Sequence, residues 1–173
     1  MALPDGLSVD RNVKLTGRES HPWIRRGLLM LIAVFPVLAI LNVFGQRPTV
    51  TLAHAVAADL KVTAPARLRS GLVFQVRIEV SAHRDIQTPQ LVLNRGWWES
   101  MSENSIEPQP SAEGTRNGNV TFSFARLPAG HRLIMWLYFQ VNPTNVGKRT
   151  ENVELDDGST PIANLHRSLT IFP

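Results

Sequence analysis

The stretch "RRGLLMLIAVFPVLAILNVFGQRP" constrains this chain more than any other. From Gly27 to Gly45 it carries no charge, and Asn42 is its one polar side chain. As a helix the run is roughly 28 Å long, close to the thickness of a bilayer's hydrocarbon core. Trp23 before the run and Phe44 at its exit suit the two interfaces. A buried helix of a soluble domain would be shorter and amphipathic, so the sequence predicts one membrane-spanning helix over 27–45. Pro36 lies in mid-span. It has no amide hydrogen to donate and predicts a kink, which membrane helices tolerate because neighbouring groups satisfy the freed carbonyl.

The flanks predict an orientation. Arg25 and Arg26 stand directly before the run with Arg11, Lys14 and Arg18 upstream, whereas Arg47 is the one basic residue between the run and Lys61. By the positive-inside rule the N-terminus stays in the cytoplasm and the remainder is exported, which makes Arg25, Arg26 and Pro36 the expected anchor residues. The small-x-small triplets Ala53–Ala55 and Ala55–Ala57 lie far beyond the apolar run, and the basic segment before it is long. Both points favour an uncleaved signal-anchor over a cleaved signal peptide. The predicted order is a cytoplasmic tail (1–26), the anchor (27–45), a tether rich in Pro, Thr and Ala (46–58) and an extracytoplasmic domain (59–173).

Beyond the tether the apolar period changes to two. In "LVFQVRIEV", Leu72, Phe74, Val76, Ile78 and Val80 alternate with Gln75, Arg77 and Glu79. Such alternation marks strands with one face in a core and one in water. "NVTFSF" repeats the device. "RLIMWLYFQV" is apolar on both sides and predicts a central strand with both faces at least partly covered. "DDGST" predicts a hairpin between two final strands, because Asp-Gly suits a tight turn. Strands are expected at 60–63, 73–81, 89–93, 101–106, 119–124, 132–142, 149–155 and 162–172. Seven or eight short strands without helical periodicity predict an all-β, immunoglobulin-like antiparallel sandwich after the single N-terminal helix, with a small barrel as the alternative.

Composition removes some chemistries and leaves others weak. The chain has no cysteine, so disulfides, thiolate metal sites and cysteine nucleophiles are absent. Its formal net charge is +4, but both signs are scattered along the exported part, and no basic stripe predicts nucleic-acid binding. The five histidines, His21, His54, His83, His131 and His166, do not stand at metal-ligand spacing from one another. Glu154, Asp156 and Asp157 invite a calcium reading, but a fuller loop of alternating acidic residues is missing and turn chemistry accounts for the Asp-Gly step. No serine-nucleophile motif is present. No cofactor and no catalytic residue is expected.

The order "FQVRIEV…LVL…TFSFARLPAGHRLIMWLYFQVN" resembles bacterial surface modules of the DUF11-like, immunoglobulin-like type, in which an L-x-x-G turn leads into a long alternating strand. Leu127, Pro128 and Gly130 match that turn, and Arg132–Val141 the strand. The layout as a whole resembles small single-pass actinobacterial-type membrane proteins. The resemblance implies a fold and a compartment, and assigns no catalytic residue. The remaining feature is Trp97–Trp98 in "LVLNRGWWESM". In an extended chain the two rings would point to opposite faces, one into the core and the other partly exposed beside Arg95. Arg95, Trp97 and Trp98 are therefore the candidate binding residues. Three functions compete: an accessory, non-enzymatic interaction protein of a membrane or envelope partner; an envelope module for glycan or lipid headgroup; and a membrane-tethered hydrolase.

Overall fold

The computed structural model describes residues 21–41 and 46–173. Two compact units divide at Val43/Phe44. The first holds one helix, α1 (His21–Ile40), which contains Pro36. It begins six residues before the predicted span, because a helix is not obliged to stop where polarity begins. Pro22 is tolerated in its first turn, where amides have no intrahelical acceptor, and the Arg26 guanidinium stacks on Trp23 one turn away, 5.4 Å from the ring centroid. The stretch Pro22–Ile40 has a mean hydropathy of 1.9 and is long and apolar enough to cross a membrane. Residues 42–45 of the expected anchor, and the expected tail up to residue 20, lie outside the described residues.

The second unit is a β-structure of thirteen described strands. These are β1 (Pro48–His54), β2 (Ala58–Pro65), β3 (Arg67–Arg69), β4 (Val73–Ala82), β5 (Pro89–Leu93), β6 (Met101–Glu107) and β7 (Ala112–Arg116). They continue with β8 (Asn119–Ser123), β9 (Arg132–Val141), β10 (Gly147–Thr150), β11 (Val153–Asp157), β12 (Thr160–Leu165) and β13 (Ser168–Phe172). Two five-stranded sheets, in the orders β1-β2-β4-β9-β6 and β12-β11-β5-β8-β7, are antiparallel throughout. A three-stranded sheet, β10-β13-β3, includes the parallel pair β13–β3.

All eight expected segments contain strands, and the all-β sandwich stands. Two of those segments divide, however. The run 149–155 becomes β10 and β11, and 162–172 becomes β12 and β13, because the chain changes sheet at residues 151–152 and again at 166–167. The expected tether 46–58 is corrected outright. Its middle is β1, paired with β2 from Pro48↔Pro65 to His54↔Asp59. Thr49, Val50 and Thr51 suit a strand, and their neighbours on β2 provide the partner that a tether would lack. β7 escaped the sequence reading because "AEGTR" has no apolar alternation, although Asn117-Gly118 signals its hairpin with β8. Both turn residues have positive φ, 53° and 79°, as a tight two-residue hairpin requires.

One core fills the sandwich. From the first sheet come Leu60 and Val62 of β2, Val76 and Ile78 of β4, and Leu137 and Phe139 of β9. From the other come Leu91 and Leu93 of β5, Phe122 of β8, and Val153 and Leu155 of β11. Phe139 is the aromatic hub. Its ring stacks on Phe74 at 5.7 Å and on Trp97 at 5.8 Å, and Trp98 meets it edge-on at 5.7 Å. Edge-on and offset arrangements place ring hydrogens against π faces and add to area burial. Phe139→Ala is expected to cost about 3–5 kcal/mol in denaturant unfolding, while Val50→Ala on the outer face changes stability little; equal losses would contradict this placement of the core.

Candidate functional site

The Trp97–Trp98 pair does not sit on an extended chain. Arg95–Trp97 forms a single 3-10 turn between β5 and β6. The Trp97 amide donates to the Asn94 carbonyl at 3.2 Å, and that of Trp98 to the Arg95 carbonyl at 2.9 Å. In such a turn successive side chains need not alternate across a sheet, and both indoles reach the same core. Trp97 is fully buried. Trp98 is half-buried, against Phe122 and Phe139. The opposite-face expectation is therefore corrected. Of the three candidate binding residues, Arg95 alone is exposed.

Gly96 makes the turn possible. A Cβ there would lie 1.8 Å from the Thr150 carbonyl oxygen, so the β5–β6 turn can approach β10 only with glycine at this position. Asn94 completes the junction: its side-chain amide donates to the Thr150 carbonyl at 2.9 Å and its side-chain oxygen accepts from the Asn152 amide at 2.8 Å. The Trp97 indole N–H donates to the Asn152 carbonyl at 3.0 Å. With this acceptor the buried indole N–H avoids the cost of an unsatisfied donor.

Behind Trp97 lies a buried ion pair that the sequence reading missed. The Arg167 guanidinium is 5.3 Å from the Trp97 ring centroid, donates to Glu151 at 2.5 Å, and reaches the Pro65 carbonyl at 2.7 Å. Glu151 is fully buried and Arg167 nearly so. The one sequence signal was Arg167 interrupting the apolar face of the last two strands. Burial pushes the Glu151 carboxyl up to about 7, although Arg167 draws it down. Among the described residues one Glu151 carboxyl oxygen has no hydrogen-bond partner, which is consistent with that direction.

Beside the turn is an open cleft of about 550 Å³, lined by Asn94, Arg95, Gly96, Glu99, Asn119 and the β10 residues Lys148–Thr150. Arg95, Lys148 and Arg149 bring three cations to it against one carboxylate, Glu99, whose oxygen is 3.8 Å from the Arg149 Nε. Arg149 is held from below: its guanidinium donates to the Asn145 side chain at 2.8 Å, and Asn145 in turn donates to the Glu99 and Ser100 carbonyls at 3.2 Å each. Among the described residues the buried Arg149 Nε has no hydrogen-bond acceptor.

A second surface is the outer face of the first sheet. Cross-strand neighbours there are Arg77 and Trp136, Glu79 and Ile134, and Gln75 and Tyr138. Arg77 stacks on Trp136 at 5.2 Å, and Glu79 is surrounded by Arg77 at 3.0 Å, Arg132 at 3.6 Å and Lys61 at 3.8 Å. Ile134, Trp136 and Tyr138 remain partly exposed, and Val50 and Leu52 more so.

The acidic hairpin is committed to the fold. Asp156 is buried and paired with Arg116 at 2.5 Å, and Asp157 accepts from the Thr88 amide at 2.8 Å and hydroxyl at 3.0 Å. The Thr88 amide, with the Gln87 amide and the Thr88 hydroxyl, holds the Asp157 carboxyl below its ordinary range. His54 and His83 both contact Asp59, at 2.8 and 3.2 Å, at the β1–β2 hairpin. His131 lies against the Ala129 carbonyl, and His166 is exposed. Among the described residues no three His, Asp or Glu side chains form a group able to hold a metal ion.

No known protein family matches the chain, and no curated protein matches it. Solved structures similar to it include the solution structure of CaCohA2 from Clostridium acetobutylicum, at 12% identity over 60% of this chain and 84% of that one, with a TM-score of 0.43. A non-cellulosomal cohesin from the archaeon Archaeoglobus fulgidus matches at 13% identity over 61% of this chain and 84% of that one, with a TM-score of 0.40. The cupredoxin domain of amoB from Nitrosocaldus yellowstonii matches at 12% identity, over 58% of this chain and 56% of that one, with a TM-score of 0.35. The sandwich assignment rests on the strand pairing above, not on these likenesses. No family match accompanies the resemblance to DUF11-like modules or to actinobacterial membrane proteins, and only the sandwich and the apolar helix of that expectation stand.

Removing the Glu151 side chain takes from the buried Arg167 guanidinium the carboxyl group that it donates to. Glu151→Leu is expected to lower unfolding stability by about 3–5 kcal/mol. Adding Arg167→Met should restore part of the loss, with a remaining deficit from the Pro65 carbonyl that Arg167 served. The pH dependence has a definite sign. A carboxyl raised from 4.5 to about 7 keeps in the folded chain a proton that the unfolded chain has released. Its contribution to stability is fully present below about 4.5 and lost as the pH rises through about 7. The stability difference between the native chain and Glu151→Gln should therefore shrink over that interval in denaturant titrations, and a pH-independent difference would count against it.

Proposed function

We propose that this chain is a non-enzymatic, signal-anchored membrane protein whose extracytoplasmic β-sandwich binds another membrane or envelope protein as an accessory subunit. The observation that carries the reading is the outer face of the first sheet. Trp136, Tyr138 and Ile134 stand partly exposed there beside Arg77, and aromatic residues with arginine are the side chains that most often anchor protein interfaces. Arg77 and Glu79 are already oriented by neighbours, so little side-chain freedom is lost when a partner covers them.

The helix supports the anchored part of the proposal. Leu28, Leu29, Leu31, Ile32, Phe35 and Val37 all expose more than half of their surface, and in a bilayer that exposure is favourable. The charge step from Arg25–Arg26 to the residues beyond the span orients the N-terminus to the cytoplasm. An uncleaved anchor also fits the position of the small-x-small triplets. They occupy the end of β1 and its turn into β2, so cleavage there would strip β1 from its sheet.

A second reading has its own observation. The cleft between the Asn94–Ser100 turn and β10 has an excess of cations, a feature that favours an anionic group such as a lipid headgroup or an acidic wall glycan. The two readings separate by mutation. In a mild-detergent pull-down of the full-length chain, Trp136→Ala with Tyr138→Ala is expected to lose a stoichiometric protein partner that Arg95→Glu with Lys148→Glu retains. The reverse pattern, with loss of bound lipid or wall material on charge reversal alone, would move the function to the cleft.

A further inference from the structure

The sheets end in edges of two kinds. β6 carries Glu103 and Glu107 and a register shift between Glu103 and Ser105. β12 carries Pro161, and its pairing with β11 is shifted between Leu155 and Asp156. β7 carries Glu113 and β10 carries Lys148 and Arg149. Charges, prolines and bulges are the devices by which edge strands are kept from pairing with other chains. β1, "PTVTLAH", has no Lys, Arg, Asp or Glu and no register shift along its seven residues; the proline at its start stands against extension, and His54 at its end is held by Asp59. Val50 and Leu52 are 54% and 53% exposed, on the outer face of the sheet.

The hydrogen-bonding direction of β1 is fixed by its turn. The Ala55 amide donates inward to the Ala58 carbonyl at 3.1 Å. Alternation along an antiparallel strand then directs the backbone groups of Thr49, Thr51 and Ala53 to β2, and those of Val50, Leu52 and His54 to the free edge. A two-fold axis through Thr51 sets two β1 strands antiparallel with those outward groups matched. Val50 faces Leu52, Thr51 faces Thr51, Thr49 faces Ala53, and the His54 amide faces the carbonyl of Pro48, which has no N–H to waste. The exposed apolar pair becomes mutually covered on one face. No charge opposes another of like sign, whereas the same operation on β10 would set Lys148 or Arg149 against its own copy's cations. The strand is complementary to itself.

We propose that β1 is a homodimer interface, in which the free edge pairs antiparallel with β1 of a second copy about Thr51 and joins the two first sheets into one. The pairing leaves the part of the outer face around Trp136 and the cationic cleft open for other ligands.

Since the chain contains no cysteine, a single Thr51→Cys substitution in the full-length protein gives an unambiguous probe. In a non-hydrogen-bonded antiparallel pair the Cα atoms are about 4.5 Å apart, within the span a disulfide bridges. Mild oxidation in membranes or detergent is expected to convert Thr51→Cys to a disulfide-linked dimer of the chain's own mass doubled, while Ser105→Cys on the β6 edge stays monomeric. Leu52→Lys sets a cation against Val50 twice per dimer. It should suppress the Thr51→Cys cross-link and weaken association in sedimentation by at least about tenfold, with an unchanged circular dichroism spectrum. A Thr51→Cys protein that remains monomeric by both cross-linking and sedimentation overturns the proposal. So does a cross-link from the introduced thiol to a different protein, which would assign the edge to another occupant.

Discussion

The buried pair between Glu151 and Arg167 is the constraint around which the sandwich is arranged. Both residues stand where the chain leaves one sheet for another: Glu151 between β10 and β11, Arg167 between β12 and β13. Their side chains meet at 2.5 Å, and the Glu151 amide donates to the Arg167 carbonyl at 2.9 Å. Two corners of the fold are thus locked to each other through backbone and side chain together. The same guanidinium caps the end of β2 at Pro65 and lies over Trp97. Removing charges from water is costly, so such a pair persists only where the geometry supplies compensating bonds. Here the guanidinium meets Glu151, the Pro65 carbonyl and the Trp97 face, while one Glu151 oxygen has no partner among the described residues.

From that corner outward, the functional surfaces follow. Trp97 rests between Arg167 and Phe139, and its indole N–H holds Asn152. Because the ring is fixed, the turn from Asn94 to Ser100 is fixed, and Gly96 lets it close on Thr150. Arg95 then projects from this turn to line the cleft together with Lys148 and Arg149 of β10. A residue pair that looks like a gripping surface in the sequence instead lies in or against the core and supports the turn beside the cleft. Among the described residues, this arrangement leaves the cleft, the outer face around Trp136 and the edge of β1 at the surface.

The Trp97–Trp98 pair shows why the site was only partly legible. A dipeptide at the end of an alternating strand reads as extended, because nothing local to it states that a 3-10 turn intervenes. The turn is stabilised by Thr150 and Asn152, more than fifty residues away. β1 was lost for a similar reason. Its composition of Pro, Thr, Ala and His suits a tether equally well, and only the pairing with β2 decides the matter. Arg95 was legible as an exposed cation; Lys148 and Arg149 were not, since their nearness to it is a product of the corner.

By itself, then, the sequence determined the apolar helix and the all-β character of the rest. Both depend on patterns within a short window: an uncharged run long enough to span a bilayer, and a period of two set by strand geometry. It also located β5 and β9 closely, at Pro89–Leu93 and Arg132–Val141, where apolar runs are bounded by turn residues. The tertiary structure alone decided where the strands change sheet, which charges are buried, which indole lies in the core, and which edge is left open. Those outcomes depend on partners distant in sequence, and no local pattern encodes the free energy of meeting them.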